Sequence, residues 1–362
     1  MEVCIEPAFA EHNIPIFFSC SDQFVPHTAA AIQSLLAHAS GAHNYDIIIL
    51  HTGVSENNQR LMRLMISGVS NFSVRFLNVK SLFQSKTFGA YDRFTVEVFY
   101  RLMIPWLLTC PKAIYLDSDL VVQRDIVDLF VADIGDNLLG AVVDATIVGE
   151  YSTPEIRDYH DKILKLKKPY AYFNSGVLVF NIPAFRATFT AEELLDFAQK
   201  RTYRYVDQDV LNAKCGGRVY MLDMKWNVMT DHGGVRIDEI AKLAPPAICQ
   251  AYLESRKDPH IIHYAGPEKP WNNPQSDFAE VYWKYARQTP FYEATLYRMM
   301  CGIVPVDYAT PAADNRSGAR RVADRILPKG SRRRNLAKKI LPKGSRRWNF
   351  LKKIYWRVWK NG

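Results

Sequence analysis

From Ile14 to about Val122, short apolar runs alternate with segments whose apolar residues recur every three or four positions. Ile16 to Cys20, Tyr45 to Leu50 and Ser73 to Val79 read as strands. Pro26 to Ala39 and Glu56 to Ile66 read as helices between them, the second opened by an N-cap at Ser55. A helical run from Thr95 to Leu108, which Pro105 is expected to end or kink early, leads into a strand at Ala113 to Leu116. Alternation of this kind predicts an α/β fold built on a mostly parallel, doubly wound sheet.

Farther on, the pattern predicts strands over Leu138 to Val143 and Phe173 to Ile182, with a polar helix around Glu155 to Lys168 between them. Lys162, Lys165, Lys167 and Lys168 read as a solvated face of that helix. Past Ile182 the rhythm loosens, with turns at Pro245-Pro246 and around Pro267, Pro270 and Pro274. Asp277 to Arg287, with Phe278, Val281, Tyr282 and Tyr285 at helical spacing, is expected to pack on the core. Residues 305–315 are small, polar and rich in Pro and Ala, which reads as a linker.

The net charge of +9 divides unevenly. Arg316 to Gly362 carries 17 Lys/Arg against one acid, Asp324, a net +16, while the rest of the chain carries −7. Within this tail, Ile326 to Arg333 recurs as Ile340 to Arg347, each copy giving a Pro-Lys-Gly turn, a Ser cap (Ser331, Ser345) and a basic helix. On a helical wheel Trp348, Leu351, Ile354, Tyr355, Val358 and Trp359 share one arc, interrupted by Arg347, and Arg346, Lys352, Lys353, Arg357 and Lys360 occupy much of the rest. A basic amphipathic helix with Trp and Tyr on its apolar face suits an anionic membrane surface. A nucleic-acid arm or a merely solvated tail are the competing readings, and the facial segregation favours the membrane.

The 362 residues, 48% hydrophobic and 23% charged, suit one large domain with an appendage and exclude disorder of the whole chain. Six scattered cysteines without a C-x-x-C pair read as reduced, buried thiols of a cytosolic protein. The opening Met-Glu-Val-Cys-Ile-Glu has neither the basic nor the apolar region of a signal peptide, and no run of 18 apolar residues occurs. The expected location is the cytoplasm, at the inner face of the membrane.

Tyr115-Leu116-Asp117-Ser118-Asp119-Leu120-Val121 puts two carboxylates two residues apart at the end of an apolar, strand-like segment. On a strand the two would share a face, close enough for one hard cation, and the C-terminal edge of an open α/β sheet is where ligands bind. An acid pair that merely caps a loop is the alternative.

Five further motifs accompany the pair: Tyr100-Arg101-Leu102, Gly140-Ala141-Val142-Val143-Asp144, Tyr172-Phe173-Asn174-Ser175-Gly176-Val177, Asp207-Gln208-Asp209-Val210-Leu211-Asn212 and His263-Tyr264-Ala265-Gly266-Pro267-Glu268-Lys269-Pro270-Trp271. In this order and spacing, from about Ile16 to Trp271, the chain resembles glycosyltransferase family 8, the retaining nucleotide-sugar enzymes, and within it the bacterial lipopolysaccharide and lipooligosaccharide galactosyl- and glucosyltransferases. The resemblance implies a GT-A type fold over residues 14–304, with a nucleotide-sugar half to about residue 122 and an acceptor half beyond it. It also implies that Asp117, Asp119 and His263 hold a Mn ion, with Mg as the other candidate, against the diphosphate of a UDP-sugar. Two carboxylates plus an imidazole suit Mn better than Mg.

The roles carried over place Lys269 at the diphosphate and Gly266 where backbone approaches it. Ser19, Asp22, Phe24, Arg101, Ser118 and Asn174 go with the donor, and Asp144, Asp207 and Gln208 with the reacting sugar. In the family the residue on the far face of the anomeric carbon is an amide, here Gln208, where a retaining glycosidase would place a carboxylate. A front-face reaction assisted by the departing UDP fits that residue better than a covalent intermediate. One departure stands at the first strand: Ser21-Asp22-Gln23-Phe24 replaces the Asp-Asp-Asn-Tyr of close relatives at uracil and ribose. The expected activity is Mn-dependent transfer of galactose or glucose from a UDP-sugar to a glycolipid or oligosaccharide acceptor at a membrane. A metal-dependent nucleotidyltransferase and a non-catalytic sugar-nucleotide-binding adaptor are the rivals, and no nucleic-acid partner is expected.

Overall fold

The computed structural model describes residues 4–83, 86, 88 and 95–301. The linker 305–315 and the basic tail 316–362 lie outside the described residues. The described residues contain ten strands, in chain order: β1 Asn13–Ser19, β2 Asn44–His51, β3 Phe72–Asn78, β4 Lys112–Leu116, β5 Leu120–Val122, β6 Leu139–Val143, β7 Phe173–Asn181, β8 Val219–Met221, β9 Val228–Met229 and β10 Ile261–His263. Seven of them form the main sheet in the order β3-β2-β1-β4-β7-β6-β8, and β5-β10-β9 form a small second sheet. β7 runs antiparallel to both neighbours and the other pairs of the main sheet are parallel. The mostly parallel α/β expectation therefore holds.

The apolar runs are strands because the sheet is buried on both faces. Phe17, Ile48, Leu50, Ala113, Tyr115, Leu178 and Phe180 point into one core, and Ile16, Phe18, Ile47, Ile49, Ile114, Leu116, Val177 and Val179 into the other. Ser55 caps the helix Glu56–Met65 as expected, accepting from the Asn58 N–H. A third apolar cluster packs the helix Ala279–Ala286, through Tyr282, Trp283 and Tyr285, against Val121, Ile262, Tyr264 and Trp271.

Three expectations need correction. Thr95 to Leu108 is not one helix: a 3-10 helix covers Val96–Met103, and a short α-helix follows at Ile104–Leu107. Pro105 opens that second piece instead of ending a helix, because in a first turn its missing N–H and fixed φ cost nothing. Likewise the segment Glu155 to Lys168 divides into an α-helix, Pro154–Asp158, and one π-helical turn, Tyr159–Leu164, closed by Lys165 at φ 55°. The cysteines are free, but only Cys20 and Cys215 are buried, whereas Cys4 and Cys301 are exposed. Among the described residues no helix is long and apolar enough to cross a membrane.

Candidate active site

Asp117, Ser118 and Asp119 do not lie on a strand. β4 ends at Leu116 and β5 begins at Leu120, so the three form the link by which the chain passes from the main sheet to the small one. Their shared direction comes from two anchors. The Asp117 N–H donates to the Gly176 carbonyl at 2.8 Å, and the Asp119 carbonyl accepts from the Tyr264 N–H at 2.9 Å. Antiparallel pairing of β10 with β5 sets His263 opposite Leu120, beside Asp119.

Register thus assembles the cluster across 144 residues of chain. One ligand atom from each of Asp117, Asp119 and His263 lies within 4.8 Å of the others. His263 Nε2 stands 3.1 Å from Oδ1 of Asp119 and 3.7 Å from Oδ2 of Asp117. The other oxygen of Asp117 is already engaged, accepting from Arg101 Nη2 and from the Tyr115 hydroxyl, both at 2.8 Å. Lys269 Nζ donates to Oδ2 of Asp119 and to the Tyr264 carbonyl. Burial acts to raise the Asp119 carboxyl, but Lys269 and His263 outweigh it and hold the group well below the usual carboxylate range.

Gly176 leaves space beside these candidate ligands. A β-carbon built there would lie 2.3 Å from His263 Cε1 and 2.8 Å from Asp117 Oδ2, so only glycine leaves the ligands their positions. Gly176 stands beside Asp117 by the β4–β7 pairing and lies in the stretch of β7 over which the β6–β7 register shifts, between Ala141 and Val142. Bulges of this kind re-aim backbone next to sites. Two carboxylates, one imidazole and a cleared space are a donor set suited to a divalent cation of borderline hardness.

Behind this cluster lies a second, largely buried network. Arg101 Nε is 3.1 Å from Oδ2 of Asp207, so the guanidinium bridges Asp207 and Asp117, and its Nη1 also donates to the Ser175 carbonyl at 2.6 Å. Burial lifts the Asp207 carboxyl to about 6 against the pull of Arg101, and Asp117 adds to the rise. Gln208 Oε1 accepts from the Ser175 N–H at 3.1 Å, while its Nε2 donates to Asp144 Oδ2 at 3.2 Å. Asn174 Nδ2 donates to that same oxygen at 3.3 Å. Asp144 also caps the helix Ala145–Glu150 through Oδ1, which accepts from the Ile147 N–H. Asp209 anchors the arrangement by accepting from the Tyr159 and Tyr172 hydroxyls, both at 2.6 Å, and from the Tyr205 N–H at 2.8 Å. Next to it Val206 is held at φ 39°, a strained value for a β-branched residue that the buried contacts around it must sustain.

The remaining predicted residues divide. Ser118 Oγ donates to the Ser19 carbonyl at 3.0 Å, tying the link to the end of β1, and the Ser19 hydroxyl is buried without a hydrogen-bond partner. Gly266 sits at φ 120°, and a β-carbon there would meet His232 Cε1 at 2.7 Å. Asp22 is not drawn into the cluster: its Oδ1 accepts from the Ser55 N–H at 2.8 Å and from Asn58 Nδ2 at 2.7 Å. Phe24 packs edge-on to Trp271, which in turn stacks on His27 at 3.6 Å.

Several contributing residues fall outside the sequence reading. Asn227, at the end of the 3-10 helix Met224–Asn227, presents its Oδ1 as an acceptor to His263 Nδ1 at 2.9 Å. Arg236 supports the loop after β10 by donating to the Ala265 carbonyl at 2.7 Å. Neither belongs to a motif. Asn227 immediately precedes the short strand β9, which pairs with β10, and Arg236 lies in the helix Val235–Leu243 that follows, and no local sequence signal marks either.

The protein is similar to known glycosyltransferases. It is 26% identical over 287 residues to General stress protein A of Bacillus subtilis, covering 75% of this chain and 92% of that one. Over 167 residues it is 26% identical to the lipopolysaccharide 1,2-glucosyltransferase of Escherichia coli, 46% of this chain and 45% of the other. Among solved structures, the bifunctional glycosyltransferase WbbM superposes with a TM-score of 0.74 at 30% identity, over 82% of this chain and about half, 53%, of that one. The galactosyltransferase LgtC, solved with donor and acceptor sugar analogues, shares the fold at a TM-score of 0.60 and 22% identity, over 78% of this chain and 100% of its own. The family model for glycosyl transferase family 8 matches residues 15–275, and the chain belongs to that family: it is a glycosyltransferase of GT-A fold.

Proposed function

We propose that the protein is a Mn-dependent, retaining hexosyltransferase that moves galactose or glucose from a UDP-sugar to a lipopolysaccharide-type glycan acceptor. It would work in the cytoplasm at the inner face of the membrane, attached through residues 316–362. The observation that carries this reading is the convergence of Asp117, Asp119 and His263 with Lys269 at one point of the sheet edge. Asp117 Oδ2, Asp119 and His263 Nε2 would hold the cation. When bound, a divalent ion there supplies Lewis-acid neutralisation of the diphosphate leaving group.

This chain's own residues do the rest. Lys269 adds a compact positive charge at the diphosphate, and Gly266 lets backbone come close to it. Ser19, Asp22, Phe24 and Ser118 lie toward the nucleotide, and Arg101 and Asn174 toward the donor sugar. Asp144 and Asp207 fix the polar wall that the hexose hydroxyls meet. Gln208 is a poor nucleophile twice over: it is an amide, and its Oε1 is occupied by the Ser175 N–H.

A front-face substitution follows. The bond from C1 of the hexose to the β-phosphate oxygen breaks as the acceptor hydroxyl oxygen bonds to C1 on the same face. The acceptor proton passes to the departing phosphate oxygen. The test is a donor screen with Mn, following UDP release from each UDP-sugar with and without lipid A-core acceptors. Release from one or two UDP-hexoses, accelerated by acceptor, is the expected result. Failure of every donor, even by slow hydrolysis, overturns the reading.

A further inference from the structure

The orientation of two buried amides leads from a backbone N–H to His263. The Gly176 N–H lies 2.9 Å from one side-chain atom of Asn174 and can only donate, so that atom is Oδ1. The other end of Asn174 is then Nδ2, and it faces Asp144 Oδ2 at 3.3 Å, an obligate acceptor, which agrees. Asn227 meets the same Asn174 Oδ1 at 2.9 Å and must present its NH2 there. Its Oδ1 therefore points the opposite way, at His263 Nδ1, 2.9 Å distant. Asn174, Asn227 and His263 are all buried, so water offers no substitute partner.

We propose that Asn227 is a positioning residue that keeps the proton of His263 on Nδ1 and so aims the Nε2 lone pair at the space between Asp117 and Asp119. The proposal rests on the reading of those three residues as metal ligands. Without Asn227 the neutral ring would favour the opposite tautomer. Its Nε2–H would donate to Asp119 Oδ1 at 3.1 Å and turn a hydrogen toward the cation's place. Residues that fix a ligating histidine in this way typically account for about 10- to 100-fold in metal affinity. The chain of donors begins at a main-chain amide, which cannot flip, and that is why its direction is imposed on His263 and not chosen by it.

Three full-length proteins test this: the wild type, Asn227→Leu and Asn227→Asp. Mn affinity is read by electron paramagnetic resonance of free Mn, without donor or acceptor. Leu matches the shape and removes the acceptor, so affinity is expected to fall about 10- to 100-fold. Asp keeps an acceptor for Nδ1–H and should stay within a few-fold of wild type. If Asn227 served only packing, the buried charge of Asp would be at least as harmful as Leu, and that result overturns the proposal. A loss below about two-fold in Asn227→Leu overturns it as well.

Should Asn227→Leu fail to fold, the wild type still decides. Nitrogen NMR of 15N-histidine protein with saturating Mg, the His263 signal assigned by its loss in His263→Gln, should show Nδ1 protonated. Protonated Nε2 refutes the inference. No Mn binding by the wild type would instead refute the metal reading beneath it.

Discussion

Gly176 and His263 face each other with no room for a methyl group between them: a β-carbon on Gly176 would stand 2.3 Å from His263 Cε1. The same carbon would press Asp117 Oδ2 at 2.8 Å, so one substitution strikes two proposed ligands. Neither can retreat freely, because His263 is bonded to Asn227 and Asp117 to Arg101 and Tyr115. Gly176→Ala is therefore expected to cost about 1–3 kcal/mol of stability by overpacking and to weaken Mn binding by tenfold or more. A thermal melt and a Mn titration measure the two effects. Unchanged Mn affinity in a folded Gly176→Ala protein would contradict the ligand assignment.

Lys269 is expected to show opposite effects on metal and nucleotide. Its ammonium donates to Asp119 Oδ2, and on the proposed function it would turn to the diphosphate when UDP binds. Lys269→Met should leave Mn affinity without nucleotide unchanged or higher, and lower UDP affinity in excess Mn by about 10- to 100-fold, the worth of one charge-assisted contact. Calorimetric titration of each ligand separates them. Equal weakening of both would mean that Lys269 supports the fold of the loop and not the diphosphate.

His27 makes stability depend on pH. It is buried, stacks on Trp271 at 3.6 Å and pairs through Nδ1 with the Tyr282 hydroxyl at 2.8 Å. Burial first, then the charges of Lys269 and Arg298, push it down from 6.5 to about 3. Between those two values the unfolded chain binds more protons than the folded one, so stability is complete above 6.5 and is lost as the pH falls through that window. One such group contributes a slope of about 1.4 kcal/mol per pH unit. His27→Phe keeps a ring against Trp271 and removes the proton. Denaturant melts across the window should show a shallower slope for His27→Phe, and parallel slopes would refute the attribution.

What was legible in the sequence follows from how far each signal travels along the chain. The main-sheet strands are readable because burial on both faces leaves continuous apolar runs such as Ile47 to Leu50. Asp117 and Asp119 are readable as a pair, but their geometry is not that of a strand, since the link is shaped by Gly176 and Tyr264 from remote segments. Thr95 to Leu108 has helical spacing throughout. Nothing local reveals that Ile104 bonds back only three residues, to the Arg101 carbonyl, before Pro105 starts a new turn. Asn227 is illegible for a related reason: it meets His263 only through the pairing of β9 with β10, 36 residues on.

Gln208 bears on the route of the reaction. Its Oε1 accepts the Ser175 N–H and its Nε2 donates to Asp144, so the amide is held from both ends. If it braces and does not attack, Gln208→Ala should slow transfer only a few-fold and leave the anomeric configuration of the product retained. A covalent role would cost about 10³-fold or more. Single-turnover rates with NMR assignment of the product linkage distinguish the two.

The tail offers a prediction that is independent of the site. Arg316 to Gly362 carries a net +16 and, if helical, would gather Trp348, Leu351, Ile354, Tyr355, Val358 and Trp359 on one arc, whereas the remainder of the chain is net −7 and should be repelled by anionic lipid. Each cation near such a surface contributes about 1 kcal/mol, so a third of the tail's charge suffices for reversible attachment. A chain ending at residue 315 should release UDP from its donor at the full rate with soluble acceptors. The same chain should no longer sediment with vesicles rich in anionic phospholipid. Because the attraction is partly electrostatic, raising the salt should weaken sedimentation of the full chain, and the aromatic arc should preserve a residue of binding that a purely basic tail would lose. Sedimentation that persists in the shortened chain would place the membrane contact on the glycosyltransferase domain instead.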